Sequence, residues 1–147
     1  MMKKFLSSLL ALTMILSLVI VPANAANAEI EGVWISSTKE TLKVGESAKI
    51  TFNAPEGGIG KRLVINGVTV TLLSPSKISV KSSDEIVVTV DRNGSTVTAT
   101  AKAEGTATIT YTYECDYQKT RNDPRTTASQ VMKTTVKVDK AATNPTK

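Results

Sequence analysis

The chain of 147 residues contains no histidine. That absence removes the commonest general base and the commonest metal ligand together. A Ser-His-Asp triad is ruled out with it. There is one cysteine, Cys115. Exported domains of this size often use disulfides, but a lone Cys cannot make an internal bridge. Stability has to come from packing. Aromatic residues are only 4% of the chain, with a single Trp. Beyond the first segment there are no apolar stripes at helical spacing. There is no internal repeat and no long low-complexity run. Nothing points to paired catalytic carboxylates, and the expectation is a protein that is not an enzyme and needs no cofactor.

What is present begins with Met1-Met2-Lys3-Lys4, a short basic start. An apolar stretch from Phe5 to Val21 follows. Then come Pro22 and two overlapping small-x-small sites, Ala23-Asn24-Ala25 and Ala26-Asn27-Ala28. This order reads as a secretory signal peptide over 1–25, cut after Ala25 or after Ala28. The apolar stretch falls a little short of the roughly 20 residues that span a bilayer. No Cys stands at the exit to carry a lipid, no second apolar segment lies near the C-terminus, and no Leu-Pro-x-Thr-Gly signal is present. The expectation is a secreted, extracellular or cell-surface domain over 29–139, with no membrane insertion after cleavage and a flexible tail over 140–147. Loss of Lys3 and Lys4 from 18 cations, set against 13 acids, leaves a net charge of +3. That mild, dispersed excess suits an anionic envelope. It lacks the dense basic patch of a nucleic-acid binder, and no nucleic-acid partner is expected.

The remaining sequence is rich in Thr, Val and Ile, and alternates with period two between turn residues. Val33 and Ile35 share one face, then Leu42 and Val44, then Ala48, Ile50 and Phe52. Leu63-Val64-Ile65, Asn66-Gly67 and Val68 to Leu72 spell a tight hairpin with a type I′ turn. Ile78 and Val80 start a further strand. Ile86, Val88 and Val90 line the next, and Val97, Ala99 and Ala101 follow a turn at Asp91–Gly94. Gly105 opens a strand at a point where a side chain would crowd its neighbour. Ala107, Ile109, Tyr111 and Tyr113 face one way on that long strand. Met132, Thr134, Val136 and Val138 form the last inward face. Short strands with turns at this spacing argue for an all-β sandwich or barrel.

Two stretches carry a resemblance. Val33-Trp34-Ile35-Ser36-Ser37, followed by Thr41-Leu42-Lys43-Val44-Gly45-Glu46-Ser47, resembles the opening of a bacterial immunoglobulin-like domain of group 2. The run from Ile78 to Asp84, then Val88 to Ala99 with its Val-Asp-x-Asn-Gly hairpin, then Glu104 to Thr110, is similar to that family's central region. Thr135 to Val138 fits its last strand. The resemblance implies an immunoglobulin-like β-sandwich of about seven strands, and it implies adhesion or polysaccharide contact. The chain departs from the pattern in two places. Val80 stands where the family often has Trp, and residues 57–73 are an inserted hairpin that extends a sheet edge or projects from one end.

Several candidate sites follow. By alternation Trp34 points away from Val33 and Ile35, toward solvent. It is then a stacking platform for sugar rings or a partner's apolar patch, or else it packs under the inserted hairpin or a loop. The polar 116–130 segment is a recognition loop or an ordinary solvated hairpin end. Its contact residues are Tyr117, Lys119, Arg121 and Arg125. Cys115 shares parity with Ile109 and Tyr111, so the expectation is a buried thiol with no partner inside the chain, the alternative being an intermolecular pair.

Other patterns fail. Pro55 to Lys61 tempts toward a phosphate loop, but Pro55 stands where the first Gly is needed and Arg62 where Ser or Thr is needed. Asp84, Glu85 and Asp91 match no calcium loop, and no metal is expected. Asn93-Gly94-Ser95 is a formal glycosylation sequon at a hairpin tip, discounted in a bacterial-type protein. The functional expectation is a binding or adhesion module, contacting cell-envelope polysaccharide or a surface protein. The alternative is a structural subunit of a surface assembly that pairs edge strands, of unknown oligomeric state.

Overall fold

A computed structural model describes residues 27–141. The leader and most of the tail expected from the sequence lie outside those residues. Every element described is a strand. In chain order they are β1 (Trp34–Ile35), β2 (Lys39–Lys43), β3 (Ser47–Asn53), β4 (Arg62–Ile65), β5 (Val68–Leu72), β6 (Lys77–Ser82), β7 (Val88–Asn93), β8 (Thr96–Ala101), β9 (Gly105–Gln118) and β10 (Thr126–Asp139).

Two sheets form. The first has four strands in the order β1-β3-β8-β7. The second has six, in the order β2-β10-β9-β5-β4, with β6 also pairing β9. All pairings are antiparallel except β2 with β10, which is parallel. The sheets face each other through the alternate apolar residues of their strands. Ile50, Val97, Ala99 and Val88 come from the first sheet, and Ile109, Tyr111 and Val136 from the second. Phe52 and Tyr111 meet edge to face across the layers, with ring centroids 5.5 Å apart.

The strands form where alternation and turn chemistry agree. Asn66 and Gly67 both take positive φ, 50° and 78°, and close the β4–β5 hairpin as that dipeptide demands. Gly105 has φ 149°, and a Cβ there would come within 3.1 Å of Val87. The crowding expected at the start of that strand is therefore a contact with Val87.

Two expectations need correction. Ile86 does not line a strand. It sits in the turn before β7 and is 79% exposed, while Val87 and Val88 turn inward. Asp84 explains the shift: its carboxylate accepts the Ile86 N–H at 3.0 Å, and its carbonyl accepts from Val88 at 2.9 Å. A capped turn takes the place of the first strand residues. The 116–130 loop is also much shorter than expected. β9 runs through Gln118 and β10 starts at Thr126, so only residues 119–125 connect them. Backbone pairing continues there although the side chains have turned polar, from Tyr117 with Thr126 to Ser129 with Glu114.

The β4–β5 hairpin extends the six-stranded sheet. Thr71 and Leu72 pair Gln118 and Tyr117, at the far end of the β9 edge that β6 occupies lower down. The N-terminal segment then joins the hairpin back to β10. Glu31 donates to Val64 and Asn66 donates to Glu29 on the β4 side, and Ala28 donates to Ser129 on the β10 side. The Gln130 side chain accepts from Ile30 and donates to Val33. This end of the sheet is thereby closed around Ala28, Ile30, Leu63, Val70, Leu72 and Cys115, all buried.

Candidate functional site

Strand register decides what stands beside Trp34. In β1, Ile35 pairs Phe52 and Trp34 pairs Asn53. Phe52 is buried in the core, so Ile35 follows it inward. Trp34 and Asn53 therefore lie on the outer face of the four-stranded sheet. Trp34 is 49% exposed, and no hairpin or loop covers it fully.

The next row on that face is Thr51, Thr96 and Asn93. Beyond it come Lys49, Thr98 and Asp91. Rows two residues apart lie roughly 7 Å from each other, and neighbouring strands lie about 4.8 Å apart. The face is thus a plane of hydroxyl and amide groups with one aromatic ring at its corner, and Lys49 and Asp91 balance in charge. The Asn53 amide is fixed by donating to the Gly32 carbonyl at 2.6 Å. Ser36 continues the ladder, accepting from the Thr51 N–H and donating to the Thr51 carbonyl.

A cleft of 290 Å³ opens at the same end. Phe52, Pro55 and Glu56 form one wall, and Arg92 and Ser95 of the β7–β8 turn form the other. Its floor is braced where the Tyr113 hydroxyl donates to the Pro55 carbonyl at 3.4 Å. Burial raises the pKa of that hydroxyl, which stays a neutral donor.

The loop candidates lie on the other sheet. Tyr117 is half-buried against the core, and its backbone pairs Leu72 and Thr126. Arg125 forms an ion pair with Asp116. Asp116 also accepts from the Thr127 hydroxyl at 2.6 Å and from Ser74 at 3.3 Å. These hydrogen bonds, Thr127 first and Arg125 next, hold its carboxyl down at about 2. Both Arg125 and Tyr117 are thus engaged within the protein. Lys119 and Arg121 are exposed, and Lys119 borders a small depression with Asp123, Pro124 and Thr126. No strand pairing or hydrogen bond links this loop to Trp34.

Cys115 is 2% exposed, and burial, with Asp116 and Glu114 nearby, pushes its thiol up to about 11. Among the described residues, no group of three or more Cys, Asp or Glu is placed to hold a metal ion. No helix among them is long and apolar enough to cross a membrane. Compared with family models, curated proteins and solved structures, the chain matches none of them.

Asn53, Thr51, Thr96 and Asn93 were not legible as neighbours of Trp34. They come from three strands, and only the register brings them together. The one local signal was their shared parity within each strand.

Proposed function

We propose that this is an exported immunoglobulin-like binding module whose outer four-stranded face contacts neutral polysaccharide. The observation that carries the reading is the exposed Trp34 ring, set beside Asn53 on a plane of Thr and Asn side chains. A sugar ring has apolar C–H faces and equatorial hydroxyls. An indole stacks the former and amide and hydroxyl groups bond the latter. The strand order supports the immunoglobulin-like assignment. It comprises a four-stranded sheet, a facing sheet whose edge strand β2 runs parallel to β10, and chain switching between them near the N-terminus. The β4–β5 hairpin is the addition.

The same reading places the leader's exit after Ala25. Asn27 accepts from the Val131 N–H at 2.5 Å and donates to its carbonyl at 3.2 Å, while Ala28 is buried and bonded to Ser129. A cut after Ala28 would discard these contacts, and a cut after Ala25 keeps them. The mass of the secreted product distinguishes the two.

Retention on insoluble neutral glycan, with salt titrated, tests the binding reading. Binding by stacking survives high salt and is lost in Trp34→Ala. Binding that Trp34→Ala leaves intact would sink it. Assembly through edge strands has less to work with. β1 is two residues long, the edges at β2 and β6 carry Lys39, Lys43, Lys77 and Lys81, and the edge at β7 carries Asp91 and Arg92. Short strands and edge lysines discourage such pairing.

A further inference from the structure

The outer face of the six-stranded sheet differs from the Trp34 face in kind. Its register assembles lysines that are scattered in the sequence. Lys81 of β6 and Lys133 of β10 flank Thr110 of β9 in one row. Lys39 of β2, Thr135 and Thr108 form the next. Thr41, Lys137 and Thr106 form the one after. Lys77 and Lys43 stand at opposite ends, facing Glu114 and Asp139. All six lysines are exposed.

Three carboxylates share the face, and each has a cation beside it. Asp116 is held by Arg125, Asp139 lies 3.4 Å from Lys137, and Glu114 pairs Lys77 in register. Lys39, Lys81 and Lys133 have no carboxylate within ion-pair distance among the described residues. They stand around a ladder of hydroxyls, with Thr106, Thr108, Thr110 and Thr112 at every second position of β9.

We propose that this face docks a linear polyol-phosphate chain. Three features select that chemistry. The unpaired charges are positive and stand roughly 8–10 Å apart, Lys81 and Lys133 on either side of β9 and Lys39 one strand over and two residues along from Lys133, which suits phosphates repeated along a polymer. All the cations over the threonine ladder are lysines. Lysine binds phosphate as a point charge, with no fixed fork, so a polymer can slide between registers. The threonine hydroxyls between them match the polyol hydroxyls between phosphates. Single-stranded nucleic acid, another phosphodiester polymer, would want aromatic platforms for its bases. Tyr111 and Tyr113 of β9 turn inward and are fully buried, so this face offers none. The inference is independent of the Trp34 reading, since it uses the opposite surface.

The test is binding of the purified protein to immobilised poly(glycerol phosphate) across a salt series. The comparison is between Lys39→Gln/Lys81→Gln/Lys133→Gln and a control of equal charge, Lys61→Gln/Lys102→Gln/Lys140→Gln, whose exposed lysines lie off the face. The face variant should bind about tenfold more weakly at low salt, and its log–log salt slope should fall by about 2, as three phosphate contacts are lost. The control should bind like the parent, and Trp34→Ala should too. Circular dichroism and melting temperature establish that each variant is folded. Equal loss in face and control variants would reduce the effect to net charge and overturn the proposal. So would single-stranded DNA of equal phosphate number binding as tightly, or no binding to poly(glycerol phosphate) at all.

Discussion

Thr134 is the one polar residue fully buried among the described residues, and it is satisfied. Its hydroxyl donates to the Ser37 carbonyl at 2.7 Å and lies 3.4 Å from the Tyr111 hydroxyl. Thr134→Val keeps the shape and orphans both partners. It should cost about 1–3 kcal/mol of unfolding free energy in a denaturant titration. Cys115 makes a second prediction. A thiol 2% exposed and raised to about 11 is neither accessible nor ionised at neutral pH. A thiol reagent should modify it only as fast as the fold opens, so its rate should track unfolding. The Cys115 parity and the outward direction of Trp34 were legible in the sequence, because both follow from period two alone. The engagement of Arg125 was not. The Asp116 cluster joins residues from β9, β10 and the segment after β5, and no spacing rule brings those together.

At the level of elements, Asp116 ties the β9–β10 end to the segment after β5, and its ionisation makes that tie pH-dependent. Its folded pKa of about 2 lies below the ordinary 3.8. A depressed carboxylate stabilises above its unfolded value, and that stabilisation is lost as pH falls through the folded one. Stability should therefore drop between about pH 4 and pH 2, and Asp116→Asn should flatten that part of the curve. The N-terminal segment is a second such tie. Asn27→Ala removes two hydrogen bonds to Val131 and should lower stability by about 1–2 kcal/mol. Most strands were legible from alternation. The ends of β9 and β10 were not, because their backbone ladder persists where the side chains become polar. Ile86 misled for the opposite reason: an apolar residue with the right parity sits on a turn capped by Asp84.

The whole molecule presents two unlike surfaces, one of hydroxyls and amides with a single indole, the other of lysines over threonines. Neither could be read from the sequence, since each is assembled across three or four strands by register. The strand alternation that was legible fixes only which side of its own strand a residue takes. Edges that are short, as β1 is, or charged, as β2, β6 and β7 are through their lysines and through Asp91 and Arg92, predict a monomer by light scattering at concentrations where an edge-paired assembly would associate.

Because Trp34 is the only tryptophan in the chain, its fluorescence reports the proposed site without a label. The most direct measurement is a titration with soluble neutral oligosaccharides at high salt, followed by Trp emission. Stacking of a sugar ring on the indole predicts a saturable blue shift and intensity change, with a midpoint matching binding measured by calorimetry. Calorimetric binding with unchanged Trp34 emission would place the ligand elsewhere and contradict the account.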